Sequence, residues 1–115
     1  MRKTKTLPSN EGRKDDQEKV RLDLLPIEAM YEVAEIMTLG ARKYADRNWE
    51  QGINYNRLFR ATMGHLWDWW LKKDDGKGPG MDKESGRSHL AHAACCVLFL
   101  LTFELRKLVK FDNRP

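Results

Sequence analysis

Cysteine is scarce in this chain: its 115 residues hold only Cys95 and Cys96, side by side. Neighbours on a helix point in different directions, so this pair is poorly placed to bridge, and a disulfide framework is excluded. A reducing compartment, the cytoplasm, is therefore expected. Long apolar runs are also missing. The longest, Ala93 to Phe103, falls far short of the ~20 residues that span a bilayer and reads as a buried helix. A basic N-terminus without a following apolar stretch argues against a secretory leader. No glycine-rich phosphate loop of the Walker or dinucleotide type occurs, no repeat is visible, and no run has the alternation of a convincing strand. An all-α fold is expected, a small bundle of three to four helices.

The length allows one domain and one core. Hydrophobic residues at 41% and charged residues at 33% suit a small globular domain carrying a polar tail. The net charge of +4 does not argue for nucleic acid, because Glu11, Asp15, Asp16 and Glu18 offset the lysines and arginines of the N-terminal stretch. Residues 1–19 lack apolar periodicity and contain Pro8, Ser9, Asn10 and Gly12, which predicts a flexible arm. Residues 20–115 then form the single helical domain.

Within that domain, Val20 to Leu25 reads as a short extended lead-in, and Pro26 suits a first helical turn. A first helix runs from Pro26 to about Leu39, with Met30, Val33, Ala34 and Met37 as its apolar stripe; Gly40 is one stop, and Ala41 to Tyr44 could equally continue the helix. A loop from Asp46 to Asn54 follows. A second helix extends from Asn54 or Tyr55 to about Lys72, with Asn54 as a candidate cap and Leu58, Phe59, Thr62, Leu66, Trp69 and Trp70 as its apolar side. Asp74 to Gly80 has three glycines and a proline, which exclude regular structure. A third helix opens between Ser85 and Ser88 and reaches about Val109. It is apolar nearly all round, so it is expected to be central or partly covered by another subunit, and a homodimer or higher homo-oligomer is expected.

Chemistry concentrates in pairs spaced three apart, which share one helical face. These are Glu32 with Glu35, His65 with Asp68, and His89 with His92. Three helices each presenting such a pair can surround a divalent cation in a bundle core. Glu32, Glu35, His65, Asp68 and His92 are the expected metal ligands, with His89, His92 and Glu35 as catalytic candidates. Tryptophans flanking Asp68 suggest a buried carboxylate needing a partner. Asp82 and Glu84 either add carboxylates or cap the third helix. Oxygen-rich ligation favours Mg²⁺ or Mn²⁺, and histidines shift the preference toward Mn²⁺, Fe or Zn²⁺. A second group, Arg21, Lys43, Tyr44, Asn48 and Trp49, offers cations for phosphate and an amide and aromatic rings for a base. Equally, Trp49 closes the core beneath its loop, and Arg21 joins a surface ion pair.

Taken together, Arg21-Leu-Asp-Leu-Leu-Pro26, Gly40-Ala-Arg-Lys-Tyr44, Asn48-Trp49, His65, Glu84-Ser-Gly86 and His89-Leu-Ala-His-Ala-Ala94 resemble a known family. It is the N-terminal domain of phage dATP/dGTP diphosphohydrolases, similar to MazG-like all-α nucleotide pyrophosphohydrolases. The resemblance covers roughly Val20 to Glu104. It implies cleavage of a purine (deoxy)nucleoside triphosphate to monophosphate and pyrophosphate in phage nucleotide metabolism, within a host cytoplasm. MazG-like enzymes hold Mg²⁺ with a Glu-x-x-Glu and a Glu-x-x-Asp pair. Glu32 and Glu35 match the first pair, whereas this sequence has no Glu-x-x-Asp after it and offers the histidine pairs instead. Two other functions compete: a non-catalytic binder that sequesters a signalling nucleotide, and a helical interaction protein with structural histidines.

Overall fold

Apolar side chains at three- and four-residue spacing build three α-helices in the computed structural model, which describes Gly12 and residues 18–115. They are α1 (Ile27–Lys43), α2 (Tyr55–Trp70) and α3 (His89–Leu105). Among the described residues there is no strand, only isolated bridges of Met81 with Asp74 and with Ser88. The expected arm falls mostly on residues 1–11 and 13–17, outside the described residues. Val20 to Leu25 is not extended: Leu22–Leu24 forms a single 3-10 turn, closed by the Leu25 N–H donating to the Leu22 carbonyl.

The helices differ from the sequence reading mainly at their ends. Pro26 caps α1 instead of joining it, and α1 continues past Gly40 to Lys43, placing Arg42 and Lys43 in its last turn. Cations there favour the negative end of the helix dipole. Asn54 precedes α2 but its side chain caps nothing. Ser88 is the working cap of α3, accepting the Leu90 N–H at 3.1 Å. The C-terminus of α3 comes at Leu105, where Lys107 takes a left-handed φ of 57° and breaks the helix before Val109.

α3 is the hub. Its Ala91 and Cys95 pack on Val33 and Ile36 of α1, with Met37, Leu98 and Phe99 alongside. Here Ile36, not Ala34, completes the α1 stripe, since Ala34 is exposed. On its other flank, Phe103 is fully buried with Tyr55 and Leu58 of α2, under Trp49, Ile53, Leu108 and Phe111. Tyr55 opens α2 and meets the end of α3, while His65 near the end of α2 meets His89 at the start of α3. The two helices are therefore antiparallel. Phe59, Leu66, Trp69 and Trp70 do not join the buried side of α2: all four remain exposed.

Candidate metal centre

The antiparallel pairing brings the C-terminal half of α2 against the N-terminus of α3, and the 71–88 loop returns over that junction. Its return is fixed by backbone bonds: Gly80 N–H to the Lys73 carbonyl at 2.8 Å, His89 N–H to the Gly80 carbonyl at 2.9 Å, and Asp82 N–H to the Arg87 carbonyl at 2.7 Å. Gly80 suits this passage because its φ is +74°, a left-handed conformation that glycine adopts without strain. The result sets Asp82 beside the two α-helical histidine positions.

His65, Asp82 and His89 each present a ligand atom within 4.8 Å of the others. His65 Nδ1 and His89 Nδ1 lie 2.9 Å apart. At that distance one ring donates to the other, and the same two nitrogens, each ~2.1 Å from a cation, could instead share it at an angle of about 90°. His89 is buried, and its Nε2 has no hydrogen-bond partner. Asp68 Oδ2 stands 4.0 Å from that atom, too far for a hydrogen bond. Burial, reinforced by His92 and His89, holds the His65 pKa below its ordinary value, which keeps a lone pair available.

His92 stacks on His65, ring centroids 4.8 Å apart. Its Nε2 is 2.7 Å from Ser85 Oγ and 3.6 Å from Asp82 Oδ2. The Ser85 hydroxyl oxygen already accepts the Arg87 N–H, leaving its proton for His92. Burial lowers the His92 pKa against the opposing pull of Asp82. Asp82 is held the other way. Burial raises its carboxyl, but N–H donors from Ser85 and Glu84 and the His92 ring outweigh it, and the net shift is downward. A deprotonated carboxylate facing neutral imidazoles is a hard-plus-borderline donor set suited to a divalent cation.

The remaining candidates stand elsewhere. Arg87 holds both acidic residues of α1: its Nη1 donates to Glu32 at 2.8 and 3.0 Å and its Nη2 to Glu35 at 3.4 Å. These carboxylates thus tie the 71–88 loop to α1. Asp68 is half-buried, 4.0 Å from Lys73 Nζ, because Trp67 and Trp70 turn outward and do not enclose it. Lys43 pairs with Glu84 at 2.8 Å, and Arg21 with Asp23 at 2.7 Å. Tyr44 is exposed with Lys43 over its ring, and Asn48 is exposed at the start of a 3-10 turn. Trp49 stacks on Phe99 at 4.5 Å and lies in the core, its bland reading. Asp82 was visible in the sequence only as one of two loop carboxylates. The part played by Arg87 had no local signal, since its partners lie 52 and 55 residues away.

A histidine–carboxylate cluster at the junction of two antiparallel helices, covered by a loop, defines a small all-α protein with a metal-competent site. The family described as dATP/dGTP diphosphohydrolase, N-terminal, matches residues 9–114, and the chain belongs to that family. A relative from Salmonella phage PMBT28, named dATP/dGTP diphosphohydrolase, is 36% identical over 104 residues, covering 90% of this chain. The match spans 31% of that relative, so this chain corresponds to about a third of its length. No solved structure matches. Among the described residues, no helix is long and apolar enough to cross a membrane.

Proposed function

We propose that the chain carries a metal-dependent phosphohydrolase site that splits purine (deoxy)nucleoside triphosphates into monophosphate and pyrophosphate. The observation that carries this reading is the convergence of His65, Asp82 and His89 around one point. The family and the phage relative's name support this substrate class.

His65, Asp82 and His89 would hold the cation, and two imidazoles favour Mn²⁺ over Mg²⁺. When bound, it supplies Lewis acidity toward a phosphoryl group and charge neutralisation for departing pyrophosphate. Water attacks the α-phosphorus, and the bond from that phosphorus to the bridging oxygen breaks. The proton of the attacking water would pass to Ser85 Oγ as Ser85 gives its own proton to His92 Nε2, which burial favours in its neutral form. Asp68 Oδ2 lies 4.0 Å from His89 Nε2, behind the proposed ligand, where a carboxylate that closed on the ring would orient it. Glu32 and Glu35, through Arg87, hold the loop that delivers Asp82.

A cleft of about 550 Å³ is lined by Trp69, Trp70, Lys72, Pro79 and Gly80, and the Gly80 carbonyl accepts the His89 N–H. The cleft offers an aromatic wall to a base and an ammonium to a phosphate, and takes over the base-binding place expected of Trp49. The test is pyrophosphate release from dGTP and dATP with Mn²⁺. Turnover that EDTA abolishes and Asp82→Asn reduces at least ~100-fold supports the reading. Stoichiometric nucleotide retention without turnover, or turnover indifferent to chelator, overturns it.

A further inference from the structure

We infer that this centre takes ferrous iron in preference to Mn²⁺ and keeps open coordination positions on it for a small exogenous ligand. The inference rests on reading His65, Asp82 and His89 as a metal site, and not on nucleotide turnover. The donor set is two imidazoles and one carboxylate, drawn from α2, the 71–88 loop and α3. Carboxylate, carbonyl and water oxygens suit Mg²⁺ and Mn²⁺, whereas imidazole nitrogens move the balance to later first-row ions. At a given site Fe²⁺ binds more tightly than Mn²⁺. Two histidines and one carboxylate, with the remaining positions free, is the donor pattern of non-haem ferrous centres.

Spacing separates Fe²⁺ from Zn²⁺. At ~2.1 Å from one ion, the His65 and His89 nitrogens, 2.9 Å apart, subtend about 90°. A tetrahedral pair at that bond length would stand ~3.4 Å apart. The right angle belongs to six-coordinate ions, and His89 has little room to widen it, being only 4% exposed. Asp82 is held as well: the Glu84 and Ser85 N–H groups both donate to its Oδ2, at 3.1 and 2.9 Å. Sulfur does not enter the set. Cys95 packs with Val33 and Ile36, and Cys96 packs against the cluster of Tyr55, Leu58 and Phe103. That removes the soft donors that select Cu(I) or build zinc and iron–sulfur sites.

His92 would be a fourth protein ligand, but it is engaged elsewhere. Its Nε2, 3.6 Å from Asp82 Oδ2, is 2.7 Å from the Ser85 hydroxyl, and its ring stacks on His65. While that bond holds, three protein donors leave half the positions of an octahedral ion free. Those positions take phosphate oxygens or a small neutral ligand such as nitric oxide. Fe²⁺ binds nitric oxide by donating filled d electron density back to it, which Mn²⁺, Mg²⁺ and Zn²⁺ do poorly. Nitric oxide therefore reports iron and its open positions together.

The test uses the full chain, stripped with chelator and loaded without oxygen. In competition, about one Fe²⁺ per chain should be retained, with Mn²⁺ needed in at least ~10-fold excess to displace half of it. Nitric oxide added to the iron form should give the electron paramagnetic resonance signal of a high-spin ferrous nitrosyl. That signal should vanish in Asp82→Asn and His89→Gln with helical circular dichroism unchanged. Co²⁺ in the same site should show the weak visible absorption of six-coordination. Mn²⁺ retained as tightly as Fe²⁺, an intense tetrahedral cobalt band, or no nitrosyl signal from the iron-loaded chain would overturn the inference and leave the metal site standing. No retained ion, or a nitrosyl signal indifferent to both variants, would overturn the site with it. Where a variant unfolds, the competition and the cobalt spectrum of the wild type still decide.

Discussion

Phe103→Ala should be the most damaging single change in the core. Among the described residues Phe103 is the one large side chain buried completely, and it sits where α3 crosses the start of α2. Its ring lies 6.0 Å from Trp49 and 6.3 Å from Tyr55, so truncation removes two aromatic contacts as well as buried area. A Phe→Ala change in a core costs about 3–5 kcal/mol through lost transfer energy plus the cavity left behind. The upper half of that range applies, because each aromatic pair adds ~0.5–1.5 kcal/mol beyond burial. With an m-value of ~1–3 kcal/mol per M, the urea midpoint should fall by about 2 M. Protomer concentration must be fixed, since association of native chains raises apparent stability. A midpoint shift below about 0.5 M would refute the α2–α3 packing described here.

Further outcomes follow from other contacts. A double-mutant cycle of Arg87→Met and Glu32→Gln should give a coupling of about 0.5–1 kcal/mol in thermal unfolding, discounted because both groups are more than a third exposed; zero coupling would remove the proposed loop anchor. Gly52→Ala should destabilise by ~1–3 kcal/mol in the same assay, since Gly52 has φ +103° and its Cβ would run into the Phe111 ring. Cys95 should resist iodoacetamide at pH 8 in the folded protein, because burial pushes its thiol from 9.0 up to about 12 and the reactive thiolate falls about 1,000-fold; labelling at the rate of a free thiol would contradict that burial. The folded state binds this proton more tightly, so its contribution to stability is complete below the unfolded value and declines as pH rises from 9.0 toward about 12.

Helix existence was legible from spacing alone, because three- and four-residue apolar periodicity needs no tertiary knowledge. Helix ends were not. Gly40 left both a stop and a continuation toward Tyr44 open, and α1 runs on to Lys43, while Lys107 breaks α3 through a backbone twist no composition reveals. Apolarity also overstated burial on α2, where Phe59, Leu66 and Trp70 match the core pattern but face outward. At the centre, the spacing of His65 and of His89 with His92 placed them on convergent faces. Which carboxylate would join them depended on how a glycine-rich loop folds back, a long-range outcome. Asp82 arrives because Gly80 and Arg87 tie that loop down, and Glu32 with Glu35 are drawn to Arg87 for the same reason.

Mn²⁺ binding by the purified chain, followed through the electron paramagnetic resonance signal of the free ion, tests the central claim most directly. One ion per chain should be retained by the wild type and by Glu32→Gln. Asp82→Asn and His89→Gln should weaken retention at least ~10-fold with helicity intact. Undiminished retention by both variants, alongside loss in Glu32→Gln, would contradict a centre built from His65, Asp82 and His89.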